Sequence, residues 1–225
     1  MTSAFADDHR GAAELPAGPR IPGATMPPAS ECASIWNGPV ERDELTPARP
    51  LVWFLGASGG CGVSSLTRSL AYAGDCQRSW PGYIGQMPGA DSPLVVIVCR
   101  TTMQSVQRAH HLLLQHAAGG TPVGTEILGV VMVADIDRRL STPVKNRAAV
   151  VESLAGAAWH VPWLEPWRAT PPHELPEWSP SSVLPTDKKA ARDPTQVPLP
   201  PVIDLHDQIR AAAAARVKEI SSHTK

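Results

Sequence analysis

Seven consecutive residues, Gly59-Gly60-Cys61-Gly62-Val63-Ser64-Ser65, have the types and spacing to hold an anion. The glycines let the backbone pass close to phosphate oxygens with no Cβ in the way. The segment follows the apolar run Leu51–Leu55 and leads into residues of helical periodicity. A strand, a glycine turn and a helix start, in that order, gather unpaired N–H groups at one point, as a phosphate-binding loop does. Ser64 falls where such a loop places the hydroxyl that ligates Mg²⁺, and Ser65 where a hydroxyl can meet an α-phosphate. Val63 breaks the pattern by standing in place of the loop lysine. Losing that lysine removes charge-assisted hydrogen bonds of roughly 1.5–3 kcal/mol each. The expected chemistry is binding of ATP or another nucleotide, with Mg²⁺ through Ser64, and weak or no hydrolysis. The alternative is a glycine turn that only packs a strand on a helix, in an interaction module without ligand.

Other side chains are candidates to complete such a site. Arg68, Arg100 or Lys145 can supply the missing cation from another position. Asp135 follows an apolar run and reads either as a contact to a base edge or ribose, or as a turn cap. Glu165 and Arg168 are placed to line the mouth of the site. Cys61 at a helix start is expected to have a lowered thiol pKa, or else to be a small filler. His110, His111 and His116 share one predicted helix but have no carboxylate companion, so they read as surface or half-buried imidazoles rather than metal ligands. Trp159, Trp163 and Trp167 recur every four residues around two prolines. On a strand they would share one face, covering the core or offering an aromatic platform.

These residues need a scaffold, and the apolar pattern supplies one. Leu51–Leu55, Leu94–Cys99 and Ile127–Val133 are apolar throughout, as strands buried on both faces of a parallel sheet are. Trp159–Trp163 is a short last strand. Helices are predicted from Ser64 or Ser65 to about Ala73, from Met103 to Ala117, and from Pro143 to about Gly156. The last of these should turn Val144, Ala148, Val151 and Leu154 inward. Residues 76–92 read as a long loop. Strand–helix alternation predicts an α/β fold with right-handed crossovers and a ligand site at the carboxyl ends of the strands.

The expected organisation is a disordered arm over 1–48, an α/β domain over 49–169, a Pro-rich linker over 170–203 and a C-terminal helix over 204–221. Within the arm, Ile35-Trp36 forms an apolar island that either docks on the domain or stays free. The C-terminal helix has a thin apolar stripe and can dock, pair with a partner or fray. A formal net charge of −1 gives no electrostatic case for nucleic acid or an anionic membrane. No apolar run is long enough to span a bilayer, and the first residues lack the pattern of a signal peptide. The four cysteines have no metal spacing and read as free thiols in a cytoplasmic protein. A protein partner is expected, and a homodimer is left open.

The string Gly56-Ala-Ser-Gly-Gly-Cys-Gly-Val-Ser-Ser-Leu66 resembles the deviant Walker A loop of the ParA/MinD-type P-loop ATPases, Lys-Gly-Gly-x-Gly-Lys-Thr/Ser. In that likeness Ser58 takes the slot of the signature lysine and Val63 that of the loop lysine, while Gly59, Gly60, Gly62 and Ser64 match. It covers roughly residues 51–168. The chain also resembles small uncharacterised actinobacterial proteins with a Gly-Gly-x-Gly-x-Ser loop. The likeness implies a P-loop NTPase-like three-layer sandwich of reduced size, with Ser58–Ser65 around the phosphates. The acidic residues that hold metal and position water in the ATPases have no evident counterpart after Leu94–Cys99 or in 76–92.

Overall fold

The strands of the central sheet are apolar along their length because helices cover both faces. The structure, a computed structural model, describes residues 21–36, 50–84, 91–179, 181–183, 185–187, 189–190 and 193–223. In chain order the strands are β1 (Ile35–Trp36), β2 (Val52–Gly56), β3 (Ala73–Asp75), β4 (Trp80–Pro81), β5 (Leu94–Arg100), β6 (Glu126–Val133) and β7 (Ala158–Val161). The helices are α1 (Val63–Ser69), α2 (Met103–Ala117), α3 (Thr142–Ala155), α4 (Glu165–Ala169) and α5 (Pro200–His223). Five strands form one parallel sheet in the order β3-β2-β5-β6-β7, and β1 pairs with β4 beside it.

Alternation along β5 divides the core. Leu94, Val96 and Val98 face one side, with Leu66 of α1, Leu70 just after it, and Leu205 and Ile209 of α5. Val95, Ile97 and Cys99 face the other, with Val106 and Leu113 of α2 and Val151 of α3. The result is a P-loop-like three-layer α/β sandwich. The chain steps from β2 one way to β3 and then the other way through β5, β6 and β7. Right-handed crossovers therefore require α1 on one face and α2 and α3 on the opposite one. The connection from β3 to β5 has no helix among its described residues, yet Trp80 buries on the α2 side, where the same rule puts it. The reversal between β2 and β5 is a topological switch point, where open α/β sheets bind ligands.

Several boundaries differ from expectation. Helix α1 stops at Ser69, and Ala73–Asp75 is an edge strand rather than a helix end. Gly74 permits this, since a Cβ there would come within 2.4 Å of the Trp53 ring. Leu154 of α3 faces solvent and Ala155 is buried in its place. The last strand ends at Val161, and only Trp159 of the three tryptophans is fully buried in the core. Trp163 and Trp167 lie beyond it, so they do not share a strand face. The expected disorder of the arm is corrected for residues 21–36, which pack on the domain; 1–20 and 37–49 lie outside the described residues. Ile21 N–H donates to the Ala117 carbonyl at 2.7 Å, and Ile35-Trp36 docks as β1.

The linker is likewise tied down in part: Trp178 N–H donates to the Ser69 carbonyl at 2.9 Å, and Leu175 is buried. Helix α5 docks through Val202, Leu205, Ile209 and Ala213. No helix among the described residues is long and apolar enough to cross a membrane.

Burial of titratable groups limits the pH range of the fold. Burial pushes the Cys99 thiol up to about 12, and that of Cys76 well above its ordinary value of 9.0. The folded chain then holds protons that the unfolded chain releases, so stability falls as pH rises from about 9 towards 12. Burial lowers the His116 pKa below 6.5, so the folded chain resists a proton that the unfolded chain accepts. Stability therefore falls as pH drops below about 6.5. Thermal midpoints across pH 5–11 (about six values) should trace a plateau between these limits; a midpoint that keeps rising above pH 9 would refute the thiol contribution.

Candidate functional site

The carboxyl ends of β2, β3 and β5 meet around the glycine loop. Gly56 ends β2, and Gly62, with a left-handed φ of 102°, caps α1. A cavity of about 600 Å³ opens over this loop. Its walls are the loop itself from Ser58 to Ser65, then Asp75, Gln77 and Arg78 after β3, Arg100 from β5, and Pro172. Gly59 and Gly60 are exposed, and a Cβ on either would meet nothing within 4 Å. The first-turn amides of α1, at Ser64 and Ser65, have no acceptor within the helix.

Two arginines carry the charge of this cavity. Arg100 Nε donates to the Gly60 carbonyl at 2.7 Å, while its Nη1 lies 3.7 Å from Asp135 Oδ1. Arg100 thus clamps the loop from the neighbouring strand, and Asp135 sits behind it. Asp135 is itself held by its N–H, which donates to Thr101 Oγ1 at 3.0 Å. Arg78 is exposed and makes no hydrogen bond or ion pair among the described residues. It stands on a turn where both Gln77 and Arg78 are left-handed, with φ of 51° and 64°. Gln77 N–H donates to Asp75 Oδ1 at 2.7 Å, which fastens that turn to the end of β3.

Three loop residues point inward. Ser58 Oγ lies 2.7 Å from Ser105 Oγ, which also accepts the Arg100 N–H at 3.0 Å. Val63 packs into the α1 side of the core. The Cys61 thiol is buried close to the backbone amides of Ser58 and Val63. Burial outweighs those amides and raises its pKa, which corrects the expectation of a lowered value. Iodoacetamide at pH 8 is expected to label Cys32, the one partly exposed thiol, well before Cys61, Cys76 and Cys99. Peptide mapping by mass spectrometry checks this, and early labelling of Cys61 would contradict its burial.

A model for the family of unknown function DUF6668 matches residues 50–183. The chain belongs to this family. The DUF6668 match takes in β2 to β7, the glycine loop and all the arginines just described. The arm at 21–36 and helix α5 lie outside it. No curated protein and no solved structure matches the chain.

Within the DUF6668 region, the expected accessory residues separate into two groups. Arg100 and Asp135 come together at the loop. Lys145 does not: it lines a different cavity, of about 530 Å³, with Thr101, Arg139, Glu152 and His160. Arg168 stacks over Trp163, 5.3 Å from the ring centroid, and does not line the loop cavity. Arg68 is exposed in the last turn of α1, away from the loop. Sequence reasoning missed Asp75 and Arg78, because a three-residue strand gives too little pattern to mark its own end. Among the described residues no group of three or more His, Cys, Asp or Glu side chains is placed to hold a metal.

Proposed function

We propose that this DUF6668 protein binds a phosphate-bearing ligand, ATP or another nucleotide, over residues 58–65, and acts as a switch or scaffold rather than as an efficient ATPase. The observation that carries the reading is the cavity over the glycine loop, walled by two guanidiniums at the switch point of the sheet. Guanidinium groups match phosphate oxygens bidentately, so Arg78 offsets the missing loop lysine, and Arg100 adds positive charge from where it clamps the Gly60 carbonyl. Asp75 and Ser64 line the same cavity and form a donor set that fits Mg²⁺ in the company of phosphate oxygens. Bound there, Mg²⁺ would neutralise phosphate charge. Among the described residues no second carboxylate lines this cavity to orient a water, which favours binding over turnover. A cytoplasmic location and a protein partner that reads the bound state belong to the same proposal.

A second reading has its own support. The Cys61 side chain is buried on the inner side of the loop, close to the amides of Ser58 and Val63, and takes up space there. A domain that kept the fold for protein contacts alone would tolerate that plug.

Titration calorimetry with ATP, ADP and GTP, with and without Mg²⁺, separates the two readings. Binding in the micromolar to millimolar range supports the nucleotide site. Replacing Arg78 by Ala should weaken it about tenfold, as the loss of one charge-assisted contact does. No heat and no thermal shift at millimolar nucleotide would leave the interaction module. Turnover that is lost on Arg100→Ala would instead revive an active ATPase.

A further inference from the structure

A second cavity, of about 410 Å³, lies on the far side of Arg78 from the glycine loop. It is bounded by the docked arm, the end of β2, the left-handed turn and α2, and it shares Gly56, Gln77 and Arg78 with the loop cavity. Its polar lining includes Glu31, Ser34, Ser79, Arg78 and Arg108. The Arg108 guanidinium projects from α2 and, like that of Arg78, makes no hydrogen bond or ion pair among the described residues. Glu31 is already engaged, its Oε2 3.3 Å from His111 Nδ1. Ser34 Oγ and Ser79 Oγ are hydrogen-bonded to each other at 2.8 Å, which leaves one hydroxyl proton of the pair to offer a ligand. Among the described residues no aromatic ring lines this chamber to stack a base.

Two unpaired guanidiniums, with hydroxyls beside them, make a site for an anion. The chain also holds strain at this place. Two successive non-glycine residues in the left-handed region keep Arg78 at the junction of both cavities. We propose that the second cavity is a separate phosphate subsite, and that the chain takes a nucleotide with a further phosphate apart from its 5′ chain. One phosphate group lies over the glycine loop between Arg78 and Arg100, and the other between Arg78 and Arg108. This rests on the phosphate reading of the loop and adds to it the class of ligand. The arm becomes a wall of the site, supplying Ser34 from outside the DUF6668 region, while the Glu31 carboxylate is held towards His111.

Calorimetry on the full chain with 5′-AMP and with adenosine 3′,5′-bisphosphate tests it. The bisphosphate is expected to bind at least tenfold more tightly than AMP. Arg108→Gln, which keeps side-chain bulk on a partly exposed helix face, should remove that advantage while AMP affinity shifts less than twofold. Arg78→Ala should weaken both ligands. Circular dichroism and thermal midpoints confirm that each variant is folded, and Arg108→Lys should restore part of the advantage. Equal affinity for the two ligands in the unaltered chain would overturn the subsite and leave the loop reading standing. An equal loss of both on Arg108→Gln would also overturn it. Failure of AMP, ADP and the bisphosphate alike to bind would sink the loop reading, and the subsite with it.

Discussion

Replacing Gln115 by Met is expected to lower the unfolding free energy by about 3 kcal/mol or more and to detach residues 21–36 from the domain. Gln115 is buried in α2 with its amide fully used. Its Oε1 accepts from Ala33 N–H at 2.9 Å and from Trp80 Nε1 at 3.0 Å. Its Nε2 donates to the carbonyls of Ala33 and Gly120, both at 2.9 Å. Met fills nearly the same volume but satisfies none of these groups. Each buried polar group left unpaired costs roughly 1–3 kcal/mol, and Trp80 is buried deeply enough to be denied water. The arm would lose both bonds at Ala33, one of the points where it is joined to α2. Urea denaturation measures the first effect, and cleavage of the arm by a dilute protease measures the second. A loss under 1 kcal/mol with the arm still protected would show that β1 and the Ile21 contact hold the arm by themselves.

Replacing Gly59 by Asp should reduce nucleotide affinity at least a hundredfold without changing the thermal midpoint. Gly59 is exposed, and a Cβ there meets nothing within 4 Å, so the fold has room for the side chain. Its φ also lies outside the left-handed range. The added carboxylate would stand in the space of a bound phosphate. At about 4 Å, two like charges near a protein surface repel by about 4 kcal/mol, and a hundredfold loss needs only about 2.7 kcal/mol. Gly62 is a poorer test position, since its φ of 102° would strain any side chain and mix stability with binding. Calorimetry with ATP reads the affinity, and a scan of thermal unfolding reads the fold. Unchanged affinity would place any nucleotide elsewhere than over this loop.

The helix–strand alternation of the domain was legible in the sequence because its signals are strong and local. Val95, Val96, Ile97 and Val98 have no polar alternation, which only a strand covered on both faces tolerates. Pro143 and Gly156 punctuate α3 as start and stop signals: the observed helix runs from Thr142 to Ala155, with Pro143 in its first turn and Gly156 as its C-cap. The glycine loop likewise stood out, since three glycines between a strand and a helix have few other uses. The errors came where a contact distant in sequence overrides a weak local signal. Ala73-Gly74-Asp75 has little β-propensity, and it is a strand because β2 offers it an edge and the Trp53 ring leaves room for a glycine. Residues 21–36 have the composition of a tail, and they are ordered because Gln115 bonds them and Trp80 pairs with Ile35.

The candidate site divides the same way. Residue types and spacing alone determined that residues 58–65 form a glycine turn leading into a helix start, and that Val63 deprives it of a lysine. They also put Arg100 and Asp135 at strand ends. Which cations face the loop was decided only by the packing of distant segments. The order of strands brings the end of β3 next to β2, and so delivers Arg78 from a stretch that reads as plain loop. The same packing sends Lys145 and Arg168 elsewhere. It also turns the Cys61 thiol inward, where burial outweighs the amides and the thiol pKa rises instead of falling. Periodicity along the chain reports which faces are covered, whereas the identity of the neighbour that covers them is a property of the closed fold.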